Sequence, residues 1–174
     1  MVFSERTQDA FNEQIGREID AFYTYLSMSE YFDALGLDGF SAWFENQSAE
    51  EWMHTMKFRT YVQDRGGRVR YREVRAPESE FSSVLEVFEK TLEHEQSVSQ
   101  SIADLYALAV EEKDFASQAF LNWFVTEQVE EEKVVRDIID WLKRIGDSQE
   151  GLYLLDKQLG AGAPAGSGPA PAGA

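Results

Sequence analysis

Glu51 and His54 stand three residues apart in the run QSAEEWMHTM, a spacing that on a helix turns a carboxylate and an imidazole toward the same point. Such a pair can hold one cation. An ExxH spacing on its own is common, so its meaning depends on what else reaches that point. Following the apolar stripe of each helical segment in alternating steps of four and three supplies the company. The second segment reads Phe40, Phe44, Gln47, Glu51, His54, Phe58 and Tyr61, and the fourth reads Leu121, Phe124, Gln128, Glu131, Val135 and Ile138. The third gives Phe88, Thr91, Glu95, Val98 and Ile102, and the first Phe11, Ile15, Glu18, Phe22 and Tyr25. Each segment directs one glutamate into an otherwise apolar stripe.

The elements that carry these residues can be read from their end signals. Ser4 is the expected N-cap of a first helix that ends near Leu35 with Gly36 beyond it; Asp38 opens a second that stops at Gly66-Gly67. A third starts at Ser82 or Ser83, where Glu86 can complete a capping box from Ser83, and runs to about Lys113. Asp114 caps the fourth, Gly146 ends it, and Ser148 caps a short fifth segment, EGLYLLDKQL, with Leu152, Leu155 and Leu159 on one stripe. Helices one and two, and three and four, are separated by very few residues and must form antiparallel hairpins. Residues 67–82 are different, because sixteen extended residues reach ~53 Å while a 29-residue helix is ~43 Å long. That linker can run the full length of the bundle and set helices two and three parallel. The predicted fold is therefore all-α, a four-helix bundle with one long crossover and a short fifth C-terminal helix. Residues 1–159 form that domain, and the Gly/Ala/Pro run 160–174 is expected to be a disordered tail.

The midpoints of the four segments fall at residues 20, 52, 98 and 130, and Glu18, Glu51, Glu95 and Glu131 lie within three residues of them. The four carboxylates and His54 thus occupy one central layer. Burying several ionised carboxylates together is costly, and no Lys or Arg falls on the stripes near this layer. Protonation or metal must neutralise them, and two divalent cations would balance four carboxylates. Oxygen ligands with one imidazole suit iron, manganese or, transiently, zinc. An iron pair with open coordination positions can pass electrons to dioxygen.

Composition points the same way. With 16 basic and 32 acidic residues the formal charge is −16, which disfavours nucleic acid and anionic membrane surfaces and attracts cations. The absence of cysteine excludes thiolate zinc, iron–sulfur and disulfide chemistry. The N-terminal run has no apolar stretch of signal-peptide length, and no segment approaches a membrane span, so a cytoplasmic location is expected.

The runs NEQIGREIDAFYTYLSM, QSAEEWMHTM, LEHEQSV, FLNWFVTEQVEEEK and EGLYLLDKQL together resemble the non-haem ferritins of bacteria and archaea, within the ferritin-like di-iron proteins. The resemblance implies one iron position from Glu18, Glu51 and His54, and a second from Glu51 as bridge with Glu95 and Glu131. It sets Gln128 beside the pair and makes Tyr25 the tyrosine associated with oxidation. A third, weaker position would map to Glu50, Glu127 and Glu130. It further implies a ferroxidase that takes Fe(II) with dioxygen or peroxide, and a homo-oligomeric shell of twenty-four subunits storing ferric mineral. The chain departs from bacterioferritins in having Val134 where a second ExxH would place histidine, and Trp52 where their haem-binding methionine stands, with Met53 next to it. Haem is not expected.

Rival readings of the same residues remain open at this level. One is a di-iron or manganese–iron oxidase acting on an organic substrate without mineral storage; another is a metal-free bundle whose fifth helix mediates assembly. Glu50, Glu127 and Glu130 could be a solvated face, and Gln128 and Tyr25 hydrogen-bonded core residues. His94 points about 100° from Glu95 and reads as a surface residue. The short fifth helix must dock on its own bundle or on neighbours, and a closed shell would give it a place.

Overall fold

The computed structural model describes residues 3–162, which form five helices and, among the described residues, no strand. Helices α1 (Glu5–Ala34), α2 (Asp38–Asp64), α3 (Val84–Glu111) and α4 (Phe115–Ile145) make the bundle, and α5 (Gln149–Gly160) closes one end. No helix among the described residues is long and apolar enough to cross a membrane. The expected tail from residue 163 onward lies outside the described residues, and α5 itself runs through Gly160.

The end signals act locally as anticipated. The side chains of Ser4, Ser83, Asp114 and Ser148 accept from the backbone N–H groups of Thr7, Glu86, Ser117 and Gly151. The capping box at α3 closes one residue early: Glu86 Oε2 accepts from the backbone of Ser82 at 2.6 Å rather than from Ser83. Gly36 and Gly66 take the left-handed conformation, φ 69° and 75°, that ends α1 and α2. α2 has no cap of its own at Leu37. Asp156 of α5 supplies one, its Oδ1 accepting from the backbone of Gly39 at 2.8 Å and Phe40 at 3.1 Å.

α1 packs along α2, α3 along α4, and α5 chiefly on α2. The linker then climbs α1 step by step. Backbone N–H groups of Arg68 and Arg70 donate to the side chains of Gln8 and Asn12, Arg72 pairs with Asp20, and the carbonyls of Glu78 and Phe81 accept from Ser27 and Tyr31. It enters beside the start of α1 and leaves beside its end, so α2 and α3 run in the same direction, as the reach of sixteen residues implies. A basic extended segment here lies on an acidic helix face: Arg70 pairs with Asp9, and Arg72 with Glu13 and Asp20.

The apolar core falls into two clusters. Phe32, Phe40, Phe44, Phe88, Ile138, Leu142, Leu155 and Leu159 belong to one, and Phe11, Ile15, Phe58, Ile102, Leu121 and Phe124 to the other. Glu18, Glu51, His54, Glu95, Gln128 and Glu131 are all buried, and none belongs to either cluster. One stripe position shifts: Ala21 is buried in place of Phe22, which lies half-exposed against Trp52 with ring centroids 5.6 Å apart. A straight helix drifts from a seven-residue repeat by ~20° per heptad, enough to exchange neighbours at the stripe edge. α5 finds its apolar partners within its own bundle, so its docking does not itself call for a neighbouring subunit.

Candidate metal centre

α1 brings Glu18, and one turn of α2 brings Glu51 and His54, so that one donor atom from each lies within 4.8 Å of the others. Among the described residues no other His or carboxylate group forms such a triplet. His54 Nδ1 is 3.1 Å from Glu51 Oε2 and 3.8 Å from Glu18 Oε2. The imidazole is held edge-on by Trp123 and Phe124, at centroid distances of 5.4 Å and 5.6 Å. Glu18 Oε1 accepts from Gln14 Nε2 at 2.7 Å, but its Oε2 is buried without any hydrogen-bond partner. A buried carboxylate oxygen left unpaired, facing an imidazole and a second carboxylate, has the donor set that a divalent cation completes.

The other half of the layer is held by hydrogen bonds. The Tyr25 hydroxyl donates to Glu95 Oε1, and Gln128 Nε2 donates to Glu95 Oε2 at 3.1 Å and to the Glu95 carbonyl at 3.3 Å. Gln47 Nε2 donates to Glu131 Oε2 at 3.2 Å. The layer is electrostatically strained without a cation. Burial, then the neighbouring Glu51, push Glu18 well above the usual carboxylate range, and burial followed by Glu95 does the same to Glu51. Glu131 is pushed up to about 9, by burial first and then by Glu95. Tyr25, fully enclosed and facing Glu95, is also raised and keeps its hydroxyl proton.

Of the three outer glutamates, Glu50 and Glu127 are half-buried and both raised, chiefly by burial, with Glu127 adding to the effect on Glu50. Glu130 is exposed. Trp52 and Met53 are surface residues of α2, 48% and 54% exposed. His94 is not a surface residue: it is half-buried, its ring lies edge-on to Tyr25 at 5.6 Å, and its Nε2 is buried without a partner. The 100° turn from Glu95 points it at α1 rather than at solvent. Gln14 escaped the stripe analysis, although its place four residues before Glu18 on the same helix face was a usable signal. No sequence signal marks Asp156 as the cap of α2, because it acts across 117 residues.

Comparison with known proteins decides the family, since the ferritin-like domain matches residues 8–145 of this chain. The chain belongs to the ferritin family. It is 41% identical over 160 residues to a bacterial non-heme ferritin of Staphylococcus aureus (strain USA300), covering 92% of this chain and 96% of that one. A bacterial non-heme ferritin of Staphylococcus saprophyticus is 42% identical over 153 residues, covering 88% and 92%. Among solved structures, a novel open pore ferritin from the hyperthermophilic archaeon Archaeoglobus fulgidus superposes with TM-score 0.91 at 47% identity, covering 92% of this chain and 98% of that one. A humanized archaeal ferritin superposes with TM-score 0.89 at 46% identity, covering 90% and 95%. The Glu18–Glu51–His54 triplet therefore sits in a ferritin fold.

Proposed function

We propose that this ferritin-family chain stores iron: it takes Fe(II) at a two-ion centre, oxidises it, and holds the Fe(III) product as mineral inside a hollow shell of identical subunits. The observation that carries this reading is the buried triplet of Glu18, Glu51 and His54 with one carboxylate oxygen left unpaired, in a chain whose relatives are named ferritins. Glu18 and His54 hold one ion, Glu95 and Glu131 the other, and Glu51 stands between them. Two electrons, one from each Fe(II), reduce one dioxygen to hydrogen peroxide with two protons; peroxide as oxidant is itself reduced to water. Anionic oxygen ligands favour ferric over ferrous iron and so drive the oxidation.

The residues around the pair order it. Gln14 orients Glu18, while Tyr25 and Gln128 hold the two oxygens of Glu95 until an ion claims them. A second ExxH would favour a retained cofactor, whereas Val134 leaves the second position with oxygen ligands alone, suited to releasing product. Glu50, Glu127 and Glu130 form a weaker third position on the way out. Assembly into a shell of twenty-four subunits and a cytoplasmic setting, where Fe(II) is available, belong to the same reading.

The test is anaerobic Fe(II) loading followed by oxygen, on the wild type and on Glu51→Ala and His54→Ala. Fast oxidation is expected in the wild type and lost in both variants; unchanged rates would remove the assignment. Light scattering and negative-stain imaging should give a hollow sphere that fills with mineral. A retained pair of ions with no mineral growth would instead indicate an oxidase acting on an organic substrate.

A further inference from the structure

Gln47 lies one turn ahead of Glu51 on α2 and is buried. Its Nε2 is 3.0 Å from Oε2 of Glu50 and 3.2 Å from Oε2 of Glu131. Two carboxylate oxygens this close to one atom require it to be the NH2 end of the carboxamide, which has two hydrogens to give. One goes to each carboxylate. Among the described residues no other side chain donates to either. Glu131 belongs to the buried layer, whereas Glu50 is half-buried and faces Glu127. A single amide group thus spans the inner and outer carboxylates, from α2 across to α4.

The choice of a carboxamide has a chemical consequence. A lysine or arginine here would neutralise both glutamates and keep cations out. A neutral amide fixes the direction of both carboxyl groups through hydrogen bonds and adds no positive charge to compete with an incoming ion. We infer that Gln47 is a positioning residue that couples an outer metal position at Glu50 and Glu127 to the inner position served by Glu131, an inference that rests on the metal-centre reading above. Because one NH2 group bonds both carboxylates, a cation that reorients Glu50 pulls on the group that orients Glu131. Occupancy of either position is then felt at the other, and the effect is reciprocal.

The experiment titrates the metal-stripped full-length chain with Co(II) in the absence of oxygen, followed by visible absorption and calorimetry. Gln47→Met keeps the length and helix preference of the side chain but has no hydrogen to donate, and Glu50→Ala removes the outer carboxylate and with it the acceptor for Gln47. Gln47→Met should still take two tight ions and bind the third about 10- to 100-fold more weakly, the scale of a lost supporting hydrogen bond. In a Glu50→Ala background, which has no acceptor for Gln47, Gln47→Met should change inner-site affinity less than it does alone, because its bond to residue 50 is already gone. Unchanged third-ion affinity in Gln47→Met, or additive effects of the two substitutions, would overturn the coupling. Gln47→Ala gives the same comparison should methionine lower the melting temperature of the metal-free protein. A wild type that takes fewer than two ions overturns the metal-centre reading and the coupling with it, whereas two tight ions without a third overturn the coupling alone.

Discussion

The hydroxyl of Tyr25 on α1 donates to Oε1 of Glu95 on α3, while Gln128 on α4 holds Oε2 of the same carboxylate. Glu95 is thereby parked, both oxygens occupied, whereas Oε2 of Glu18 is buried without a hydrogen-bond donor. In the proposed two-ion centre, Glu18 would meet an ion directly, whereas Glu95 would exchange its hydrogen bonds for one.

Tyr25→Phe removes one of those bonds and leaves Glu95 Oε1 unpaired in a closed site. The metal-free variant should lose about 1–3 kcal/mol of stability, seen as a lower melting temperature. Loading with Fe(II) should persist, because Tyr25 donates to the proposed ligand Glu95 without itself being a proposed ligand. A variant that melts like the wild type would show that the hydrogen bond is not formed in solution.

Stability of the metal-free protein should fall as pH rises. Glu131 is pushed up to about 9 from an ordinary value of 4.5, and Glu18 and Glu51 are raised in the same direction. A carboxyl with a folded pKa above its unfolded one binds its proton more tightly in the fold, so its contribution is full below about 4.5 and is lost as pH climbs toward about 9. Scanning calorimetry across that window should show a declining midpoint, and saturating Zn(II) should flatten the decline. Zn(II) binding in weakly buffered solution near neutrality should release protons. A midpoint that rises with pH would refute this charge distribution.

Glu51→Gln tests the same conflict by substitution. Replacing a buried, strongly perturbed carboxylate by its neutral isostere should raise the melting temperature of the metal-free protein above pH 8, by about 2–4 °C for each 1 kcal/mol of relieved charge burial. It should at the same time abolish tight binding of two Zn(II) per chain. The site would then be one that trades stability for metal binding.

The docking of α5 can be probed at two glycines of contrasting surroundings. A Cβ at Gly39 would lie 1.7 Å from the backbone oxygen of Asp156, so Gly39→Ala must lift α5 from α2. Limited proteolysis should then cut between α4 and α5, and Asp156→Ala should expose the same site while costing about 1–2 kcal/mol through the lost cap. A Cβ at Gly16 would lie 2.4 Å from Nε of Arg72, the far end of a flexible surface side chain that can swing away. Gly16→Ala should therefore cost less than about 1 kcal/mol. Equal effects of the two glycine substitutions would contradict the docking described here.

Much of the fold and the buried layer of carboxylates with one imidazole were legible in the residue order. A helix repeats every ~3.6 residues and rises ~1.5 Å per residue whatever surrounds it. Positions 18, 51, 95 and 131 therefore share a height as soon as the caps at Ser4, Ser83 and Asp114 are recognised. The crossover was equally legible, because chain reach is a covalent property. What the order of residues could not convey was anything that depends on how helices lean and rotate against one another. The inward turn of His94 against Tyr25, the capping of α2 by Asp156 and the bridge from Glu50 through Gln47 to Glu131 depend on residues distant in the chain, and the exchange of Phe22 for Ala21 on how α1 is rotated against its neighbours. Periodicity says which side of a helix faces inward; only packed side chains from several helices decide which oxygen meets which donor there.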